Sequence, residues 1–383
     1  MGELKSQASH PDQLCQICTK LDLQKENFII DNTERYRQLT ASNRPGEPHY
    51  GLGRRAQVRE RVGCPLCRAV SRILDVCGPK ISSPQGAVPD QALNAVAEER
   101  LLFGIGWSRV EVFATNPAKI TRHLEVQCHL PAPRGIEGWR VEGMFPELSN
   151  WRGKLHLVAE DSGIQDEGQA GIGRVVSNER IQASTLLNWL RKCRTRHGKQ
   201  CQPSLSTMLG PKGHFTASWF WLIDVEQLCL VKPTDVCGYV ALSYVWGGSH
   251  SIEFRSNNEK LLQQPNSLSN YFSSMPLLIR DAIGVTKDMG FRYLWIDRLC
   301  IMQDDYPEKQ KAITSMHHVY NGAECTIVAA AGADADVGLL GWRPHSRGWQ
   351  QIIERIGPEV SVCSRRDTDQ SFLRSAFQTR AWT

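Results

Sequence analysis

Hydrophobic residues follow two periodicities along the chain, and the change between them divides it. The earlier part alternates: Phe103–Phe113, His123–Leu130 and Lys154–Ala159 switch apolar and polar side chains with a period of two, which predicts strands of a half-exposed, mainly antiparallel sheet. From Tyr239 onward, short apolar runs are separated by segments with helical spacing. The run Tyr239–Leu242 reads as a buried strand that ends in Trp246, Gly247 and Gly248. Met275–Met289 carries Leu278, Ala282, Val285 and Met289 on one face, with Pro276 in its first turn and Gly290 as its stop. Tyr293–Ile296 reads as a strand closed by Asp297. A helix capped by Asp305 and Glu308 buries Ile313, Met316, Val319 and Tyr320, and Glu324–Ala331 is a third strand. Strand, helix, strand, helix, strand in this order predicts an α/β fold built on a parallel sheet.

The segments between these regions are less regular. Leu66, Val70, Ile73 and Leu74 share one face of a helix stopped by Gly78. Residues 81–90 have the Ser, Pro and Gly content of a linker, and the polar run 160–173, including Gly171 and Gly173, reads as a loop. A helix over Asn178–Arg196, capped by Ser177 or Asn178, turns Ile181, Leu186, Trp189 and Leu190 toward a core; Phe220–Val231 then reads as one or two strands with a turn at Asp224–Gln227. The resulting organisation is a Cys-rich N-terminal segment (1–80), a mainly β region (81–173), a helix and strands leading onward (174–237), and the α/β region (238–383).

Composition narrows the function classes. The 383 residues are 41% hydrophobic and 22% charged, ordinary for a globular chain of two or three domains. A net charge of +5 spread without a basic stripe makes nucleic acid an unlikely partner. No long apolar run predicts a membrane span or a secretory leader, so a cytoplasmic protein is expected, while Gly2 and Ser6 match a short myristoylation pattern. The 13 cysteines are then expected as reduced or metal-bound thiols. Cys15 and Cys18 form one C-x-x-C knuckle and Cys64 and Cys67 another, a donor set suited to a structural zinc; the plainer reading is four small buried residues under a helix. Cys193, His197 and Cys201, spaced four and four, are a weaker metal set without an obvious fourth donor.

In a parallel sheet the C-terminal ends of the three strands share one edge. That edge gathers Ser243, Trp246, Gly247, Gly248, Asp297, Asp304 and Arg343 as candidate ligand-binding residues, with Asp297 and Ser243 as catalytic candidates. A carboxylate closing an apolar strand can hold a ribose hydroxyl, a metal-bound water or a partner's arginine; it can equally cap the next turn or pair with Arg298 or Arg343. Trp246 is a stacking surface or a core aromatic, and Asp304 and Asp305 suit helix capping. Neither G-x-S-x-G nor G-x-x-x-x-G-K-[ST] occurs. Ser243, Cys300, His317 and His318 supply nucleophile and base types, with no spacing that joins them.

Three ordered blocks carry a resemblance: YVALSYVWGG at Tyr239–Gly248, the run Leu278–Asp305, and the run Met316–Arg343. They resemble the successive blocks of the HET (heterokaryon incompatibility) domain of filamentous fungi, and the preceding cysteine pairs and the helix with Cys193 and His197 look like the leader region that often precedes it. The resemblance implies a flavodoxin/TIR-like α/β domain and a signalling role in non-self recognition that triggers programmed cell death through a protein partner or self-association. It also implies an alternative, a TIR-like hydrolase with NAD as substrate. In that alternative a glutamate follows the tryptophan step; here Arg380-Ala381-Trp382-Thr383 matches the step and the sequence stops before a glutamate, which weakens the enzyme reading.

Overall fold

The computed structural model describes residues 13–30, 50–77, 101–107, 120–129, 152–158, 173–177, 179–204, 215, 217–248, 251–332, 334–365, 375 and 378. The linker expected at 81–90, most of the 160–173 loop, Gly2 and Ser6, Gly78, Asn178 and the Arg380–Thr383 end lie outside the described residues. The chain divides into two units, Met1–Val176 with Trp349–Arg366, and Ser177–Gly348 with Asp367–Thr383.

The first unit is built on a six-stranded antiparallel sheet among the described residues. In chain order its sequence-local strands are β1 (Ile29–Ile30), β2 (Tyr50–Gly53), β3 (Leu102–Trp107), β4 (Ile120–Thr121), β5 (Leu124–His129) and β6 (Arg152–Leu157), of which β1 and β4 pair separately. Two strands from far along the chain, β12 (Ile353–Gly357) and β13 (Val360–Arg365), complete the sheet in the order β12-β13-β6-β5-β3-β2. Alternation explains the arrangement: Phe103 and Ile105 of β3, Leu124 and Val126 of β5, and Leu155 and Leu157 of β6 are all buried. Helix α1 (Arg55–Glu60) and helix α2 (Pro65–Cys77) cover that face, the second burying Leu66, Val70, Ile73 and Leu74.

One buried pair makes this unit pH-sensitive. His123 and His156 stack with ring centroids 4.7 Å apart and are both almost fully buried. Burial first, then the neighbouring His156, lowers the His123 pKa to about 3. The folded state therefore binds this proton later than the unfolded chain, whose histidine titrates near 6.5. Stability contributed by neutral His123 is complete above that value and is lost as pH falls toward 3. Thermal unfolding between pH 7 and 4 should show a falling midpoint, flattened in His123→Phe; a parallel fall in both proteins would exclude this pair as the cause.

The second unit carries helix α3 (Ala183–Arg196), strands β7 (Leu222–Asp224), β8 (Cys229–Val231) and β9 (Tyr239–Ser243), helix α4 (Leu277–Asp288), β10 (Tyr293–Trp295), α5 (Asp297–Cys300), α6 (Tyr306–Thr314), α7 (Met316–Gly322) and β11 (Cys325–Val328). All five residues of β9 are buried, as in a strand covered on both faces. The single helix expected after Asp305 is two, α6 and α7, meeting at Ser315. Asp305 caps α6 by accepting from the Glu308 backbone N–H at 3.1 Å.

The parallel-sheet, flavodoxin/TIR-like expectation is overturned here. The five strands run in the order β11-β9-β10-β7-β8, and the sheet is mixed. β11, β9 and β10 are parallel, but β7 lies antiparallel to β10, with Tyr293 opposite Asp224 and Leu294 opposite Ile223, and β8 turns back on β7. The physical reason lies in FWLIDVEQLCLV at Phe220–Val231. This apolar hairpin supplies the neighbour that the open edge of β10 needs to satisfy its backbone groups. Its turn is held by the Asp224 carboxylate, which accepts from the backbone N–H of Glu226 and Gln227 and pairs with Arg292 at 2.8 Å.

Candidate functional site

Because β9, β10 and β11 are parallel, their C-terminal ends share one edge, and the loops leaving β9 and β10 meet there. Ser243 ends β9, buried, with its carbonyl accepting from Ala329 N–H at 2.9 Å. Trp246 follows in the loop and donates its indole N–H to both Asp297 carboxylate oxygens, each at 2.9 Å. Asp297 opens α5 and its Oδ1 also accepts from the Arg298 backbone N–H at 2.7 Å. The Arg298 guanidinium lies over the Trp246 ring, 4.5 Å from its centroid. Asp297 and Arg298 are 8% and 4% exposed, so the charges are held inside the protein, where such contacts are strongest. Tyr244 is buried beside them, its phenol held well above its ordinary value by burial first and then by the Asp297 charge. The arrangement is a braced corner that fixes the β9 loop to the start of α5.

Gly247 shows why the loop is glycine-rich. Its φ is +69°, and a Cβ there would lie 2.4 Å from Asp334 Cβ, so the loop from β9 passes the segment after β11 at van der Waals distance. Gly248 faces open space. Gly247→Ala should lower stability by about 2 kcal/mol through the left-handed backbone and the clash, with Gly248→Ala within about 0.5 kcal/mol of wild type in denaturant titrations.

The remaining candidates sit apart from this corner. Asp304 accepts from Ser256 Oγ at 2.7 Å and Ser256 N–H at 2.9 Å, and those hydrogen bonds hold its carboxyl below the ordinary range. Arg343 donates to Asp281 at 3.2 Å, and Asp281 also accepts from the Leu339 backbone N–H at 2.8 Å. Sequence reasoning missed Asp281, which is 5% exposed on the apolar face of α4. The available signal was a carboxylate among Leu278, Ile279 and Ala282, since a buried charge demands a partner. Gly338 is the matching position, with φ +77° and space so close that a Cβ would meet Asp281 Oδ2 at 2.6 Å. Cys300 is fully buried and its thiol is pushed up by burial, which makes it a core residue.

In the first unit Cys15, Cys18, Cys64 and Cys67 converge, their sulfurs all within 4.8 Å of one another, and the four can hold one metal ion. Cys18 belongs to a 3₁₀ turn at Cys18–Leu21, and Cys64 and Cys67 flank the start of α2. The Cys15–Cys67 and Cys18–Cys67 distances are 3.8 and 3.7 Å. Sulfurs bound tetrahedrally to zinc at about 2.3 Å stand about 3.8 Å apart, whereas a disulfide needs about 2.05 Å. Hydrogen bonds from Cys18 and Cys67 hold the Cys64 thiol far below its ordinary value, and hydrogen bonding to Cys64 and Cys67 pushes Cys18 far above it. Four sulfurs at these distances fit a soft cation. Among the described residues no helix is long and apolar enough to cross a membrane.

Residues 239–383 match the family profile described as heterokaryon incompatibility protein (HET). Among curated proteins, heterokaryon incompatibility protein 6, OR allele, of Neurospora crassa is 29% identical over 123 residues, covering 31% of this chain and 18% of that relative's length. No solved structure matches the chain. The Trp246–Asp297 corner, the parallel strands that form it and the segment from Asp281 to Arg343 all fall within the matched range, so it is this part of the chain, residues 239–383, that is similar to the HET family.

Proposed function

We propose that this protein acts in fungal heterokaryon incompatibility, with the HET domain as a signalling module whose engagement by a protein partner or a second copy triggers cell death. The observation that carries the reading is the family match over 239–383, supported by the incompatibility relative from Neurospora crassa. The braced corner is consistent with a module that presents a fixed surface: its tryptophan, carboxylate and arginine are already engaged with one another. Regulated expression of the full chain in a filamentous fungus should arrest growth and admit a vital dye into hyphal compartments. A strain that grows normally at the same protein level, alone and after fusion with a range of tester strains, would refute the reading. Within the same proposal the four thiols of the first unit hold a structural zinc, on the strength of their donor type and spacing.

A further inference from the structure

We propose that Cys193, His197 and Cys201 form a second, distinct zinc site, with three protein donors and a fourth position that takes a small ligand from the cavity beside it. The site is built by the end of α3. Cys193 and His197 lie one turn apart on the last stretch of the helix, and His197 N–H bonds back to the Cys193 carbonyl at 3.1 Å. Gly198, with φ +62°, then reverses the chain into a 3₁₀ turn, Gly198–Cys201, which returns Cys201 to the same place. The His197 Nδ1 stands 3.3 Å from Cys193 Sγ and 3.6 Å from Cys201 Sγ, and all three donor atoms lie within 4.8 Å of one another. A sulfur and an imidazole nitrogen on one tetrahedral zinc are about 3.5 Å apart, so little movement is needed to accept the ion. Two thiolates and an imidazole select zinc over calcium or magnesium, and the negative end of the α3 dipole favours a cation there.

Three features distinguish this site from the four-cysteine cluster. It is partly exposed rather than buried, it offers three donors among the described residues, and two of them also line a cavity of about 500 Å³. Three protein donors with one position left over is the pattern of a zinc that binds an exogenous group. Besides Cys193 and Cys201, the cavity presents Trp189, Leu190, Met289, Leu340 and Trp342. Glu324 also borders it, and its carboxylate is paired with Arg194. A soft donor on an apolar body suits both halves of the site: the thiol or imidazole nitrogen meets the metal and the body enters the cavity. The site does not depend on the signalling reading, and Cys67→Ser removes a donor of the other cluster only, so failure of one metal site is distinguishable from failure of the other.

The test uses the full chain loaded with cobalt(II) in place of zinc. Wild type should bind two ions per chain, and both Cys193→Ser/Cys201→Ser and His197→Ala should bind one, with circular dichroism and the unfolding temperature of the first unit unchanged. Adding benzyl mercaptan should shift the sulfur-to-cobalt absorption of wild type and leave the His197→Ala spectrum unchanged. Half-saturation should come at a concentration at least tenfold lower than with 2-mercaptoethanol, whose body is polar. Equal metal content in wild type and both variants would overturn the site. A wild-type spectrum insensitive to either thiol would overturn the open position, showing that the protein closes it with a fourth donor, and equal half-saturation by the two thiols would overturn the role of the cavity.

Discussion

If the four thiols of the first unit hold zinc, a strong chelator added to the zinc-loaded full chain is expected to lower the unfolding temperature of that unit by about 10 °C or more while leaving the second unit near its original midpoint. The four thiols are part of the core they would crosslink. Cys18, Cys64 and Cys67 are 0–3% exposed and pack in one cluster with Leu21, Phe28, Leu66 and Val70. A metal there ties the 3₁₀ turn at Cys18–Leu21 to the start of α2 across a long stretch of sequence, which is where a crosslink removes most entropy from the unfolded chain. Cys67→Ser should lose the effect of added zinc and unfold below the chelated wild-type midpoint even with zinc in excess. The buried hydroxyl alone costs about 1–3 kcal/mol, so the two contributions separate when the variant is compared with chelated wild type. Midpoints of wild type that are identical with and without chelator, at a metal content shown to be zero, would remove the zinc. Affinity should also fall as pH falls, because the bound ligands are thiolates and protons compete for them.

The second large effect is expected at the corner. Asp297→Ala should destabilise the second unit by about 3–4 kcal/mol, enough to broaden or abolish its transition. The carboxylate accepts from the Trp246 indole and the Arg298 backbone N–H, and its removal leaves buried donors without an acceptor beside the buried Arg298 charge. Asp297→Asn keeps an acceptor and the shape but loses the charge, and should cost about 1–2 kcal/mol. Trp246→Phe keeps most of the ring over which Arg298 sits and should fall between the two. Tryptophan fluorescence during denaturant unfolding reads the same corner directly. An Asp297→Ala protein as stable as wild type would mean that the contact is surface decoration, and a role for Asp297 in holding a ligand would then regain ground.

Much of this site was legible in the sequence because its residues sit where periodicity breaks. Tyr239–Leu242 is apolar at every position, so its end had to be a loop, and Asp297 closes an apolar strand abruptly. The two C-x-x-C knuckles were legible as a donor set, and their convergence needed only the fold between them. What the sequence hid were partners distant in the chain. Nothing local links Arg343 to Asp281 rather than Asp297, or Asp304 to Ser256, because those pairings depend on how loops close. The mixed sheet was hidden for the same reason: a hairpin preceding β9 has no sequence mark that says it will dock antiparallel on β10. Trp189 is a further case, expected in a core by helical spacing but 48% exposed at the rim of the cavity, because helix α3 turns only part of that face inward.

The return of β12 and β13 to the sheet of the first unit sets an order of events during synthesis. β6 is translated long before its neighbour β13, with the whole of Ser177–Gly348 made in between. The first unit's sheet therefore begins earlier than the second unit's sheet but is completed later, holding an unpaired β6 edge until β12 and β13 emerge from the ribosome. A stop codon or cleavage anywhere between Gly348 and Ile353 would leave the second unit's sheet intact and the first unit's sheet unfinished. The matched region, cut out alone as 239–383, would carry β12 and β13 without the β6 edge they pair against, together with a β10 edge lacking β7. In this chain the segment that matches the family profile is not a closed set of strand pairings: β7 and β6, which lie before it in the sequence, supply neighbours to its β10 and β13.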